Sequence, residues 1–112
     1  MAILRCAINA LKSQRRGFDY NFHNRVESGA GGLYAFWLDS GACLYVGMST
    51  NLSERMYQHR MNEHNSELEQ YFRAFSQSVQ VSYIALRERS SAELRALEDK
   101  LISVLRPITN KS

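Results

Sequence analysis

The stretch GGLYAFWLDSGACLYVGMSTNLSER, residues 31–55, decides the fold. Leu33 to Leu38 is an apolar run suited to a strand buried on both faces, Asp39-Ser40-Gly41 is a turn signal, and Ala42 to Val46 is a second apolar run. Two such strands joined by a tight turn form a hairpin. Asn51 with Glu54 three residues on has the form of a capping box, and Leu52, Met56 and His59 then keep helical spacing, so a helix follows the second strand. Within the stretch, Gly32-Leu33-Tyr34 and Tyr45-Val46-Gly47 are separated by the ten residues 35–44.

Beyond the helix, Glu67 to Phe75 reads as a further short helix. Val79, Val81, Tyr83 and Ala85 alternate with Gln80 and Ser82 as a half-buried strand does. Ser90 with Glu93 is a second capping box, opening a last helix that runs to about Leu105, where Arg106-Pro107 ends it. The order β-β-α-α-β-α predicts an α+β domain, a three-stranded sheet flanked by helices. Upstream, Ile3, Leu4, Ala7, Ile8 and Leu11 recur at helical spacing and predict an amphipathic helix over about 2–16 whose apolar face needs a partner. The segment from Gly17 to Val26 has no clear period, and Ser28-Gly29-Ala30-Gly31-Gly32 is a flexible joint. Two parts are expected: a basic helical N-terminal extension over 1–28 and the main domain over 29–112.

At 112 residues the chain suits one compact domain with a short extension. Its net charge of +3 is unevenly distributed: residues 1–28 hold Arg5, Lys12, Arg15, Arg16 and Arg25 against Asp19 and Glu27, and the remainder is neutral. Such a segment can follow a phosphate backbone without reading sequence, or can be a solvated basic helix end. Cys6 and Cys43 have no paired spacing, so neither a disulfide framework nor a cysteine zinc site is assembled. No apolar run approaches the ~20 residues of a membrane span, and the start lacks a secretory pattern. A cytoplasmic protein with no membrane partner is the expectation.

Several residues fit a purely structural reading poorly. Glu98 falls inside the apolar stripe Leu94, Leu97, Leu101, Leu105, where a lone carboxylate is costly unless it is paired or binds a cation. It is either an edge carboxylate that reaches water or an arginine, or a ligand for a hard divalent ion. Arg55 shares a helix face with Leu52 and His59; it is a surface partner of Glu54 or a phosphate fork. His59 could orient a proton acceptor or cap a polar patch, and His64, five residues on, completes no helical zinc motif. Tyr34 and Tyr45 could simply fill space, but a hydroxyl aimed at Arg55 would be drawn toward ionisation, which a phenol with pKa near ~10 needs to act as a base.

Taken together, these residues resemble the GIY-YIG nuclease family. GLY at 32–34 and YVG at 45–47 match its two tripeptides, with Leu33 and Val46 in place of the isoleucines. The resemblance continues through Met48 to His59, Glu98, and Leu105 to Asn110, covering about residues 31–110. It implies a DNA endonuclease in which Tyr34 is the general base or orients the attacking water, with Tyr45 and His59 arranging its hydroxyl. Arg55 would hold the scissile phosphate, and Glu98 would bind a single Mg2+ or Mn2+. Asn110 would bind the flanking phosphate or brace the site. Family members usually carry a further recognition module, so the extension bearing Arg5, Lys12, Arg15, Arg16 and Arg25 is expected to hold nucleic acid loosely, or a homodimer or sequence-reading partner protein supplies specificity. A catalytically inactive nucleic-acid binding module of the same fold is the alternative, and RNA stays open beside DNA as substrate.

Overall fold

The computed structural model describes residues 2–19, 21–27, 29–61, 63–75 and 77–110. A central antiparallel sheet has the order β1-β4-β2-β3, built from β1 (Arg16–Gly17), β2 (Gly32–Leu38), β3 (Cys43–Ser49) and β4 (Val79–Ala85). Helices α1 (Ala2–Ser13), α2 (Leu52–Met61), α3 (Ser66–Ala74) and α4 (Ser91–Leu105) cover it. The α+β architecture agrees with the expected one, with one strand more. Three strands were expected; the fourth, β1, pairs Arg16 with Val81 and Gly17 with Gln80. Its two residues are exposed and too few to show alternation, so only backbone pairing announces it. For the same reason α1 stops at Ser13 rather than about residue 16: the chain leaves the helix to reach the free edge of β4.

β2 is central and buried on both faces, as its unbroken apolar run requires. Leu33, Ala35 and Trp37 point to one side, where Ala7 and Leu11 of α1 pack with Leu94, Leu97 and Leu101 of α4. The apolar stripe of α1 thus finds its partner on the domain itself. Tyr34 and Phe36 point to the other side, against Leu52 and Met56 of α2 and Leu68 of α3. Phe18, Phe22 and Val26, from the segment without a readable period, plug that second core around a single helical turn at Phe22–Arg25. Their spacing follows an irregular chain path, which neither a period of two nor one of 3.6 captures.

Local chemistry sets the remaining ends. The Ser90 hydroxyl accepts from the Glu93 N–H at 3.2 Å while the Glu93 carboxylate accepts from the Ser90 N–H at 3.0 Å, closing the expected capping box. Arg106, at φ 48°, terminates α4 in the left-handed conformation before Pro107. The Asn51 side-chain oxygen accepts from the Glu54 N–H at 3.3 Å, but the Asn51 N–H donates to Ser49 Oγ at 2.9 Å, so only half of the expected box forms at the start of α2. Asn65 caps α3 by accepting from the Leu68 N–H at 3.1 Å.

Gly32 is a glycine because the sheet leaves no room for more: a β-carbon there would overlap the Ile84 carbonyl of β4, which is backbone and cannot swing aside. Gly32→Ala should therefore cost about 1–3 kcal/mol in denaturant unfolding, as overpacking does. Gly17→Ala, where a β-carbon meets nothing within 4 Å, is the control and should lie within roughly 0.5 kcal/mol of the parent. Equal losses at both sites would refute the close-approach account.

The two thiols are free and differ in environment: Cys6 is exposed, and burial pushes the Cys43 thiol up to about 12. A disulfide reagent at neutral pH should therefore titrate one fast thiol per native chain and the second only on unfolding. Two fast thiols would contradict the packing of Cys43.

Candidate active site

The hairpin register places Tyr34 opposite Gly47, and the tyrosine ring lies across that glycine. A β-carbon at residue 47 would coincide with the end of the phenol, so the second tripeptide ends in glycine to make room for the first tripeptide's tyrosine. Tyr34 is 0% exposed. Its hydroxyl lies 2.6 Å from His59 Nε2, and the Arg55 charge and the Tyr45 ring act on it from nearby. The Tyr45 and His59 ring centroids are 6.1 and 5.3 Å from that of Tyr34. α2 delivers Arg55 and His59 one turn apart because Leu52 and Met56 anchor it to the sheet and the Leu52 N–H donates to Ala30 O at 2.8 Å.

Burial, reinforced by Tyr45, holds the Tyr34 hydroxyl well above the ordinary tyrosine pKa despite the opposing pull of Arg55. Arg55 does draw the phenol toward ionisation, as expected, but removing the ring from water costs the phenolate more than one guanidinium returns. Tyr45 is also raised, by burial and then by the Glu98 charge, with Glu63 adding and Arg55 opposing.

Glu98 sits half-buried on α4 beside β3, at the edge of the buried Leu94, Leu97, Leu101 stripe. Burial raises its carboxyl pKa, Asp99 adds to the shift, and the Met48 backbone hydrogen bond, Arg95 and Arg55 act against it. The carboxylate is thus within electrostatic reach of both Arg55 and Tyr45. Among the described residues no group of three or more His, Cys, Asp or Glu side chains is gathered to hold a metal ion. A cation here would rest on the single carboxylate of Glu98, with water completing the shell, which suits Mg2+ because it dehydrates reluctantly.

Asn110 closes the open edge of β3. Its side-chain oxygen accepts from the Val46 N–H at 2.7 Å and its amide donates to Val46 O at 2.9 Å, while Ile108 and Thr109 N–H donate to Cys43 and Leu44 carbonyls. Both ends of the amide engage Val46, bracing β3 through one of its two N–H groups.

A cavity of about 660 Å³ opens above these residues. Tyr45, Arg55, His59 and Asn110 line it together with Gln58, Glu63, His64, Asn65 and Ser66. Tyr34 lies buried behind His59 and Tyr45, and Glu98 is outside the lining, so four of the six candidates line the cavity and Tyr34 and Glu98 do not. The N-terminal cations are elsewhere. Arg5 and Lys12 are exposed on α1, Arg15 lies over Trp37 at 5.6 Å, Arg16 is on β1, and Arg25 pairs with Asp19 at 3.0 Å. None of them lines the cavity that holds Arg55.

One participant went unread in the sequence. Glu63 bonds to His59 Nδ1, and both side chains are only 7% exposed. The available signal was its spacing of four from His59, but α2 ends at Met61, and a carboxylate just past a helix end reads as solvated.

A family model for the GIY-YIG catalytic domain matches residues 30–112. No curated protein matches the chain. Among solved structures, the GIY-YIG N-terminal endonuclease domain of UvrC from Thermotoga maritima, bound to its catalytic divalent cation magnesium, is similar in fold. Its TM-score is 0.62 at 22% identity, covering 83% of this chain and 100% of that one. A tyrosine-to-phenylalanine point mutant of the same domain, bound to its catalytic divalent cation, matches with TM-score 0.63 and 22% identity over 84% of this chain and 99% of that one. The match to the family model spans most of the chain, and the chain belongs to the GIY-YIG catalytic domain family.

Proposed function

We propose that this protein is a divalent-metal-dependent endonuclease that hydrolyses DNA phosphodiester bonds. The observation that carries the reading is the convergence of Arg55 on the Tyr34 hydroxyl, with Tyr45, His59 and Glu98 grouped around the pair. A purely structural arginine has no need to approach a buried phenol, whereas a site that must gather a phosphate and a proton acceptor does.

Each residue then has a role. The Arg55 fork holds the scissile phosphate and offsets charge building on its oxygens. Tyr34 accepts the proton of the attacking water, and Tyr45 and His59 orient its hydroxyl. Asn110 braces β3 so that Tyr45 keeps its place. Glu98 would hold Mg2+ or Mn2+, which supplies Lewis-acid stabilisation of the leaving oxygen when bound. The magnesium in the Thermotoga maritima domain supports that assignment.

The segment 1–28 acts as a loose electrostatic contact to nucleic acid, since its cations lie away from the cavity and cannot select the scissile bond. Site choice would then come from a second copy or a sequence-reading partner protein. The absence of a helix long and apolar enough to cross a membrane, among the described residues, is compatible with work in the cytoplasm.

Two experiments test this. The protein should nick supercoiled plasmid with Mg2+ or Mn2+ and stop in chelator, and Arg55→Ala and Glu98→Ala should each lose about 10²-fold or more while remaining folded. Failure to cut supercoiled, linear or branched DNA, with binding retained, would establish the inactive binding module instead. Separately, Arg5→Ala, Lys12→Ala and Arg16→Ala together should weaken DNA binding uniformly across sequences and reduce the salt slope by about one per lost phosphate contact. An unchanged slope would remove the extension from the DNA interface.

A further inference from the structure

The Tyr34–His59 pair is bounded by a donor on one side and an acceptor on the other. Arg55 can only donate, and its positive charge acts on the Tyr34 hydroxyl. An ionised Glu63 can only accept, and it bonds to His59 Nδ1. With Glu63 ionised and the imidazole neutral, the two ring nitrogens of His59 take opposite roles. Nδ1 carries hydrogen to satisfy Glu63, Nε2 is therefore an acceptor, and the Tyr34 hydroxyl donates to Nε2 across 2.6 Å.

We propose that Glu63 is a positioning residue for the hydrolysis, fixing the His59 tautomer so that Nε2 takes the Tyr34 proton as Tyr34 takes one from the attacking water. This rests on the nuclease reading above. It also answers a difficulty of that reading, because a buried phenol does not ionise unaided; with a proton acceptor already aimed at it, no free phenolate need accumulate. In the step, the water oxygen bonds to phosphorus and the bond from phosphorus to the leaving sugar oxygen breaks, its electron pair departing on that oxygen. Water protonates the leaving oxygen, and the resulting hydroxide recovers through Tyr34 the proton held on His59. The transient imidazolium charge is balanced by Glu63 beside it.

The carboxylate is held in a way that suits this duty. Its other oxygen accepts from the Asn65 N–H at 3.0 Å, and the Asn65 side chain donates to Thr109 O at 3.1 Å. The link between α2 and α3 is thereby tied to the same C-terminal segment that braces β3. An ordinary helix-end ion pair requires neither 7% exposure of both partners nor a second anchor.

The test is Glu63→Gln, which keeps shape and an accepting oxygen but removes the charge and permits the wrong tautomer. The expected result is a fall in kcat for DNA nicking of about 10²-fold or more with KM within about twofold and an unchanged melting temperature, by analogy with the buried acid of a serine-protease triad. Alongside, ¹⁵N NMR of the His59 ring should show the proton on Nδ1 in the wild type and a mixture in the variant. The wild-type spectrum requires no variant to fold. Wild-type kcat in Glu63→Gln, or a wild-type ring protonated on Nε2 alone, overturns the inference. A wild type that nicks no DNA yet shows the Nδ1 tautomer overturns the nuclease reading, and reduces Glu63–His59 to a structural pairing.

Discussion

Everything at the site depends on a phenol seated over a glycine. Tyr34 and Gly47 are directly paired across β2 and β3, and the ring occupies the volume a side chain at residue 47 would need. Because the neighbouring strand yields that space, the hydroxyl reaches α2 instead of being turned away from it. Arg55 and His59 then meet it from one helix, a turn apart. The two glycines of the paired tripeptides thus do different work: Gly32 admits the backbone of β4, and Gly47 admits a side chain.

Electrostatically the site is a contest between removal from water and nearby positive charge. For Tyr34 removal from water wins, and for Glu98 it also wins, although a backbone N–H and two arginines oppose it. A carboxylate raised in this way gains from an added positive charge, which is the physical sense in which Glu98 suits a cation. Tyr45 connects the two, since it feels Glu98 on one side and Tyr34 on the other.

The parts legible in the sequence were those where a local rule and the tertiary structure agree. β4 at Val79–Ala85 follows its alternation, α4 opens on its capping box, and β2 is apolar on both faces because helices cover both. Arg55 and Glu98 were found because they interrupt apolar patterns, and Asn110 through the resemblance alone. β1 was missed because two exposed residues carry no period. Glu63 was missed because its significance comes from burial by the α2–α3 link, a property that no local spacing encodes. The burial that outweighs Arg55 at Tyr34 was missed for a related reason: charge can be counted along a chain, whereas desolvation depends on everything packed around the ring.

Each side of the sheet is met by a segment distant in sequence. β1 lies along β4, and the amide of Asn110 bridges to Val46, 64 residues away. Closing spans of that length costs chain entropy before any contact repays it, so such pairings are late events in folding. The hairpin and α2 can form from neighbouring residues, but the β3 edge stays open to another chain until the C-terminal segment docks. Self-association would therefore compete at the same backbone groups that the finished site uses, and the brace on the catalytic strand doubles as its protection against edge-to-edge aggregation.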